Sequence, residues 1–258
     1  MERCDEEMIS KVKILLTGGS GLLGQKMIGL LSNLRNIEFI APSHSELDLT
    51  KPDACQIIKI FNPHIFINLA AYTNVSRAET NKADCFKVNV EGLINLVKYI
   101  SENGIKLFKF VHFSTDYVFD GLRGNYKEED PVNPINVYGM SKAIGERITK
   151  SLNGHLIIRT SFKSRNKWPY EKAFVDLFSS ADFVDCLAPE FLKAILHSKV
   201  FGTYHIAGKP KTIYKLARET RSNVGQMSIR EVESIVRLPQ NVTLDCTKWV
   251  NFKEKFTY

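Results

Sequence analysis

The chain alternates between short, continuously apolar runs and longer segments in which apolar residues recur every three or four positions. "VKILLT" is the first such run, and behind its glycines "GLLGQKMIGLLSNL" spaces Leu22, Leu23, Met27, Leu30 and Leu31 along a helical face. The pair then repeats. "IEFIAP" reads as strand and "KPDACQIIKIF" as helix, "PHIFINLAA" as strand and "NKADCFKVNVEGLINLVKYISENG" as one long helix, and "LFKFVHFST" as strand. After "PVNPINVYG" come a helix, "SKAIGERITKSL", and a strand, "HLIIRTSF". Strands without a period of two, separated by helices, predict an α/β fold: a doubly wound parallel sheet covered by helices on both faces.

From about Lys163 the rhythm breaks. "KSRNKWPYEKAFVDLFSSADFVD" has no clean period, "APEFLKAILHSK" reads as a helix opened by Pro189, and "GTYHIAG" reads as one more short strand. The expected division is therefore residues 11–162 for the wound sheet and 163–258 for a small C-terminal region, some of whose elements return to the sheet.

Composition narrows the partners. With 258 residues, 44% hydrophobic and 24% charged, the chain can bury a sizeable core. A formal charge of +7 suits an anionic partner. The basic residues are scattered, with no aromatic-interleaved stripe, so a phosphorylated small molecule is favoured over nucleic acid. No apolar run approaches the roughly 18 residues that span a bilayer, and "MERCDEEMISK" is acidic where a signal peptide would be basic. A cytoplasmic protein with no membrane partner is expected. The five cysteines (Cys4, Cys55, Cys85, Cys186, Cys246) are scattered and never form a CxxC pair, so reduced thiols are expected, without a disulfide framework or a metal site.

Two constellations carry chemistry. In "TGGSGLLG", Gly18, Gly21 and Gly24 fit GxxGxxG, while Gly19, Gly21 and Gly24 fit GxGxxG. Placed between a strand and a helix, such a turn lets backbone N–H groups approach a pyrophosphate, with Leu22 and Leu23 opening the helix behind it. A dinucleotide with a free ribose 2′-hydroxyl usually meets a carboxylate at the end of the second strand. Here "APSHSELD" puts Ser43 and His44 there, with Asp48 and Leu49 further on toward the adenine side, which tilts the reading to NADPH and leaves NADH open. In "NVYGMSKAIGE", Tyr138 and Lys142 stand four apart in the first turns of a helix, so a phenol and an ammonium emerge from one face.

Six ordered segments, "LTGGSGLLG", "NLAAYTNVSRAE", "NVEGLINL", "FSTDYVFDG", "NVYGMSK" and "IIRTS", together resemble the extended short-chain dehydrogenase/reductases. Within them the set is most similar to the dTDP-4-dehydrorhamnose reductases and related nucleotide-sugar 4-ketoreductases. The resemblance covers roughly residues 12 to 162. It implies a Rossmann domain with a substrate-binding cap, a nucleotide-sugar substrate, and hydride transfer from NAD(P)H to a C4 keto group. It also implies a catalytic set of Tyr138, Lys142 and Thr115, with Tyr138 as proton donor. Lys142 would lower the tyrosine's pKa and hold the nicotinamide ribose, and Thr115 would polarise the carbonyl. Ala70, Ala71 and Tyr72 would line the cofactor path, Thr73, Asp116 and Phe162 would meet the substrate, and Asn89 would steady the active-site backbone.

The chain also departs from that pattern. Phe162 stands where the family usually has Trp, and the segment before "GTYHIAG" is shorter than usual. Lys163, Arg165, Lys167 and Arg237 are candidate phosphate ligands by charge. Dehydratases of this type need an acid pair after the threonine, whereas here Asp116 is followed by Tyr117. Relatives with a built-in 3,5-epimerase carry a cysteine where Tyr117 stands. An epimerase, a bifunctional epimerase/reductase and a non-catalytic regulatory subunit remain open beside the reductase, as does a homodimer.

Overall fold

The computed structural model describes residues 11–51, 55–232 and 235–256. Cys4 and the expected helix start at residues 52–54 lie outside them. The N-terminal part runs β1 (Val12–Thr17), α1 (Leu22–Leu31), β2 (Ile37–Ile40), α2 (Gln56–Phe61), β3 (Ile65–Asn68), α3 (Val75–Thr80) and α4 (Lys82–Phe86). A π-helical turn (Lys87–Glu91) leads directly into α5 (Gly92–Glu102), followed by β4 (Lys109–Thr115), α6 (Val137–Thr149) and β5 (His155–Thr160). The remainder contributes β6 (Phe162–Lys163), β7 (Lys172–Phe174), β8 (Phe178–Ser179), β9 (Asp182–Phe183), α7 (Val184–Leu196), β10 (Gly202–His205), β11 (Lys211–Thr212), α8 (Ile213–Arg218), β12 (Gly225–Met227) and α9 (Thr247–Phe256).

One six-stranded sheet, in the order β10-β5-β4-β3-β1-β2, organises the chain. Every adjacent pair in it is parallel. Alternate residues of each central strand feed opposite cores, as a sheet buried on both faces requires. Ile14, Leu16, Ile65, Ile67 and Val111 pack with α1 and α7. Leu15, Phe66 and Phe110 pack on the other side with Ile58 of α2 and with Leu93, Leu96 and Ile100 of α5. The doubly wound parallel sheet read from the sequence is the observed fold, and "GTYHIAG" returns to it as β10, beside β5.

Two expected helices differ in detail. The segment predicted as one long helix is continuous, but its middle widens into the π turn, which inserts one residue without ending the helix. Pro189 does not open its helix. α7 begins five residues earlier, at Val184, and carries Pro189 inside. An internal proline costs about 3 kcal/mol. Burial of Val184, Leu187, Ala188, Phe191, Ala194 and Ile195 outweighs this, because one fully buried large apolar side chain is worth roughly 2 kcal/mol.

Candidate active site

The C-terminal ends of β1, β3, β4 and β5 open into one cavity of ≈ 840 Å³. This is where open α/β sheets bind ligands. The glycine turn forms one end. Gly18 has φ +70, a backbone that side chains rarely adopt, and a Cβ there would stand 2.7 Å from the Leu69 carbonyl carbon. A Cβ on Gly24 would stand 2.2 Å from the Gly18 oxygen, so α1 can pack against the turn only through hydrogen. Gly21 differs, since a Cβ there would meet only the Gly18 oxygen, at 3.2 Å. Gly21 also caps α1 without any side-chain hydrogen bond, leaving first-turn N–H groups for an anion. Leu22, 41% exposed although it follows the helical apolar pattern, lines this end of the cavity.

α6 forms the opposite wall. Asn136 caps it by accepting from the Gly139 N–H at 2.8 Å, which starts the helix at Val137 rather than at Ser141. A Cβ on Gly139 would stand 2.2 Å from the Tyr117 carbonyl oxygen, so the helix passes close against the turn after β4. Deeper in, Glu146 accepts two hydrogen bonds from Arg159 of β5, each 2.8 Å, and one from Ser114 of β4 at 2.6 Å. Glu146 and Arg159 are both 2% exposed, and removing either partner from such a buried pair typically costs 3 to 5 kcal/mol. Ser141 accepts from Asn89 at 2.9 Å. Asn89, in the π turn, also clamps the Tyr72 peptide, accepting from its N–H at 2.8 Å and donating to its carbonyl at 3.1 Å. α6 is thereby tied to two strands and to the π turn, and it presents Tyr138 and Lys142 to the cavity.

The electrostatics follow from burial. Lys142 is 4% exposed, and desolvation pulls its ammonium down to about 8, opposed by Glu146 and Cys85. Its Nζ lies 3.3 Å from His112 Nε2. Tyr138 is not lowered, contrary to the expectation that Lys142 would bring it down. Burial and the Asp116 carboxylate push the phenol up, and a hydrogen bond with Thr115 opposes them. Tyr138 is therefore a neutral phenol at neutral pH, the form that can donate a proton. Asp116, 1% exposed, is pushed up to about 6 by burial, against hydrogen bonds from Ser179 and Thr115.

Of the residues singled out in the sequence, the cavity gathers Gly18, Gly21, Leu22, Leu23, Gly24, Ser43, His44, Ala70, Ala71, Thr73, Thr115, Asp116, Tyr138, Lys142 and Phe162. Asp48, Leu49 and Tyr72 stand outside its wall. The Asp48 carboxylate accepts from the Thr50 hydroxyl at 2.7 Å, and Leu49 is buried in the core beneath α5. Of the four basic candidates only Lys163 reaches the wall. Arg165 pairs with Asp185 at 2.7 Å, while Lys167 and Arg237 are exposed. Sequence reasoning missed Asn68, Tyr117, Ser161 and Ser179. Asn68 ends an apolar run, the position where ligands meet such sheets, and could have been found that way. Ser179 had no signal, because it lies in the aperiodic segment. A carboxylate also approaches Ser43: Glu46 accepts from both its N–H and its hydroxyl at 2.7 Å.

Residues 12–255 match the family model described as the RmlD substrate binding domain. The chain belongs to that family. Within the RmlD family it is similar to the dTDP-4-dehydrorhamnose reductase of Aggregatibacter actinomycetemcomitans, 32% identical over 92% of this chain and 91% of that protein. It is also similar to the dTDP-4-keto-6-deoxy-D-glucose reductase of Streptomyces niveus, 30% identical over 80% of this chain and 76% of that one. Among solved structures, the dTDP-4-dehydrorhamnose reductase of Bacillus anthracis, in complex with NADP, superposes with a TM-score of 0.81 at 26% identity, covering 94% of this chain and 92% of that one.

Proposed function

We propose that this protein is an NADPH-dependent oxidoreductase that reduces the C4 keto group of a dTDP- or UDP-linked 4-keto-6-deoxy sugar. The observation that carries the reading is the convergence of Tyr138, Lys142 and Thr115 on the cavity that the glycine turn opens. The two similar reductases are reductases of sugars of this class, and the similar solved structure is a complex with NADP.

The residues present fit the cofactor. The uncapped first turn of α1 would hold the pyrophosphate, with Gly21 leaving room for it, and Ser43 and His44 would face the ribose 2′-phosphate. Ala70 and Ala71 would line its path, and Lys142 would hold the nicotinamide ribose. Bound NADPH supplies the hydride. Tyr138, neutral through burial, delivers the proton to the substrate oxygen, and Thr115, its O–H turned away from Asp116, hydrogen-bonds that oxygen as charge develops on it. The elements of residues 163–258 that stay off the sheet would supply the substrate side, joined by Phe162, Thr73 and Asp116 toward the sugar, with Lys163 toward its phosphates. A cytoplasmic enzyme fits this reading, and light scattering would distinguish a homodimer from a monomer.

The test is NADPH oxidation on dTDP- and UDP-linked 4-keto-6-deoxyglucose, each with and without a separate 3,5-epimerase. Turnover that requires the epimerase is the expected result and assigns a rhamnose-type reductase. Turnover without it assigns direct reduction or a built-in epimerase, and none on any sugar overturns the reading.

A further inference from the structure

Beneath the cavity a row of polar side chains crosses the sheet. Thr17 of β1 is in register with Asn68 of β3, and Asn68 with His112 of β4. All three lie on the face toward α5 and α6, in strands whose neighbouring residues on that face, Leu15, Phe66 and Phe110, are core. Thr17 Oγ1 is 2.8 Å from Asn68 Oδ1, and the Asn68 amide nitrogen is 3.4 Å from His112 Nδ1. His112 Nε2 is 3.3 Å from Lys142 Nζ, so the row ends on the lysine of the reacting site. Thr17, Asn68 and His112 are each 3% exposed or less. α6 comes close enough to make this contact because residue 145 is glycine, where a Cβ would stand 3.2 Å from His112 Nε2.

Resting on the reductase reading above, we infer that His112 is a positioning residue for the reaction: its neutral imidazole accepts a hydrogen bond from the Lys142 ammonium and fixes where that charge sits. Burial and the lysine's own charge hold His112 well below its ordinary titration range, so it has one N–H and one acceptor. When Lys142 is an ammonium, Nε2 must be the acceptor and Nδ1 must carry the hydrogen, which Asn68 meets with its carboxamide oxygen. When Asn68 presents its NH2 to Nδ1, the hydrogen sits on Nε2 and faces a neutral amine. A half-turn of the Asn68 amide interconverts the two, with the Thr17 hydroxyl switching between donor and acceptor. The row therefore couples the charge of Lys142 to a buried amide. The other titratable groups acting on Lys142 are Glu146 on its own helix and Cys85 from α4. From β1 and β3 the row presents only Thr17 and Asn68, neither of which titrates.

The experiment measures the pKa of Lys142 by trace labelling with acetic anhydride across pH, read by mass spectrometry on the full-length protein, alongside the pH profile of kcat. His112→Leu removes the acceptor and should move both the labelling midpoint and the alkaline limb of kcat to lower pH by half a unit or more. At pH 7.5 it should lower kcat about tenfold, with KM for the sugar nucleotide within twofold. His112→Gln, which restores an acceptor near Nε2, should bring the midpoint back. Asn68→Leu leaves His112 in place but favours the tautomer with hydrogen on Nε2, so it should shift the midpoint in the same direction and serves if His112→Leu does not fold. An unchanged Lys142 midpoint in the folded variants overturns the proposal, whatever their melting temperatures. Labelling needs no turnover, so a wild-type protein inactive on these sugars would count against the reductase reading alone.

Discussion

The Thr115 hydroxyl donates to the Asp116 carboxylate at 3.1 Å, so the threonine's single O–H is engaged before any carbonyl reaches it. Asp116 is in turn held by the Ser179 hydroxyl at 2.8 Å. A carboxylate 1% exposed, beside a neutral phenol, is an expensive group to keep charged.

That expense has a pH signature. Asp116 has a folded-state pKa raised to about 6 from 3.8, so its contribution to stability is fully present below about pH 4 and is lost as pH rises through 6. Asp116→Asn removes the ionisation. Its folding stability should therefore gain on the wild type between pH 4 and pH 7, by about 3 kcal/mol in all, and stay level above that. Thermal melts at the two pH values check this, and an equal difference at both would show that ionisation is not the cause.

Tyr138→Phe deletes the proton donor and leaves the ring. Turnover should fall by on the order of a thousandfold, while NADPH affinity by fluorescence titration stays within about twofold. A variant that turns over at the wild-type rate would mean that another group donates.

The glycine turn makes a paired prediction. Gly24→Ala forces a Cβ onto the Gly18 oxygen, so it should lose both melting temperature and NADPH binding. Gly21→Val, facing open space apart from one contact at 3.2 Å, should keep its melting temperature and lose NADPH binding. If Gly21→Val binds NADPH normally, the pyrophosphate lies elsewhere.

Glu46 holds both donors of Ser43, one of the residues proposed to face the 2′-phosphate. Glu46→Gln removes a like charge and should shift the ratio of kcat/KM for NADPH over NADH upward by roughly tenfold. A ratio that stays put would remove Glu46 from cofactor choice.

What could be read in advance follows the range of the interactions. Strands β1, β3, β4 and β5 announce themselves because both faces are buried, and the glycine turn and the Tyr138–Lys142 spacing are local. The row Thr17, Asn68 and His112 is invisible in sequence, since each is one polar residue in an apolar run and only sheet register aligns them. At Pro189 the local rule for helix starts gives way to six buried residues of α7. Glu46 was out of view for a similar reason. No carboxylate stands at the end of β2, and one folds back three residues later.

The π turn at Lys87–Glu91 has a consequence for insertions and deletions. One residue corresponds to about 100° of helical phase. The apolar stripes before and after the turn are out of step by that amount and are reconciled only by the widened loop. Deleting any one residue there would restore regular bonding and swing Leu93, Leu96 and Ile100 off the sheet while unhooking Asn89 from Tyr72. The length of this segment is therefore constrained from both ends, by the core behind it and by the Tyr72 peptide ahead of it.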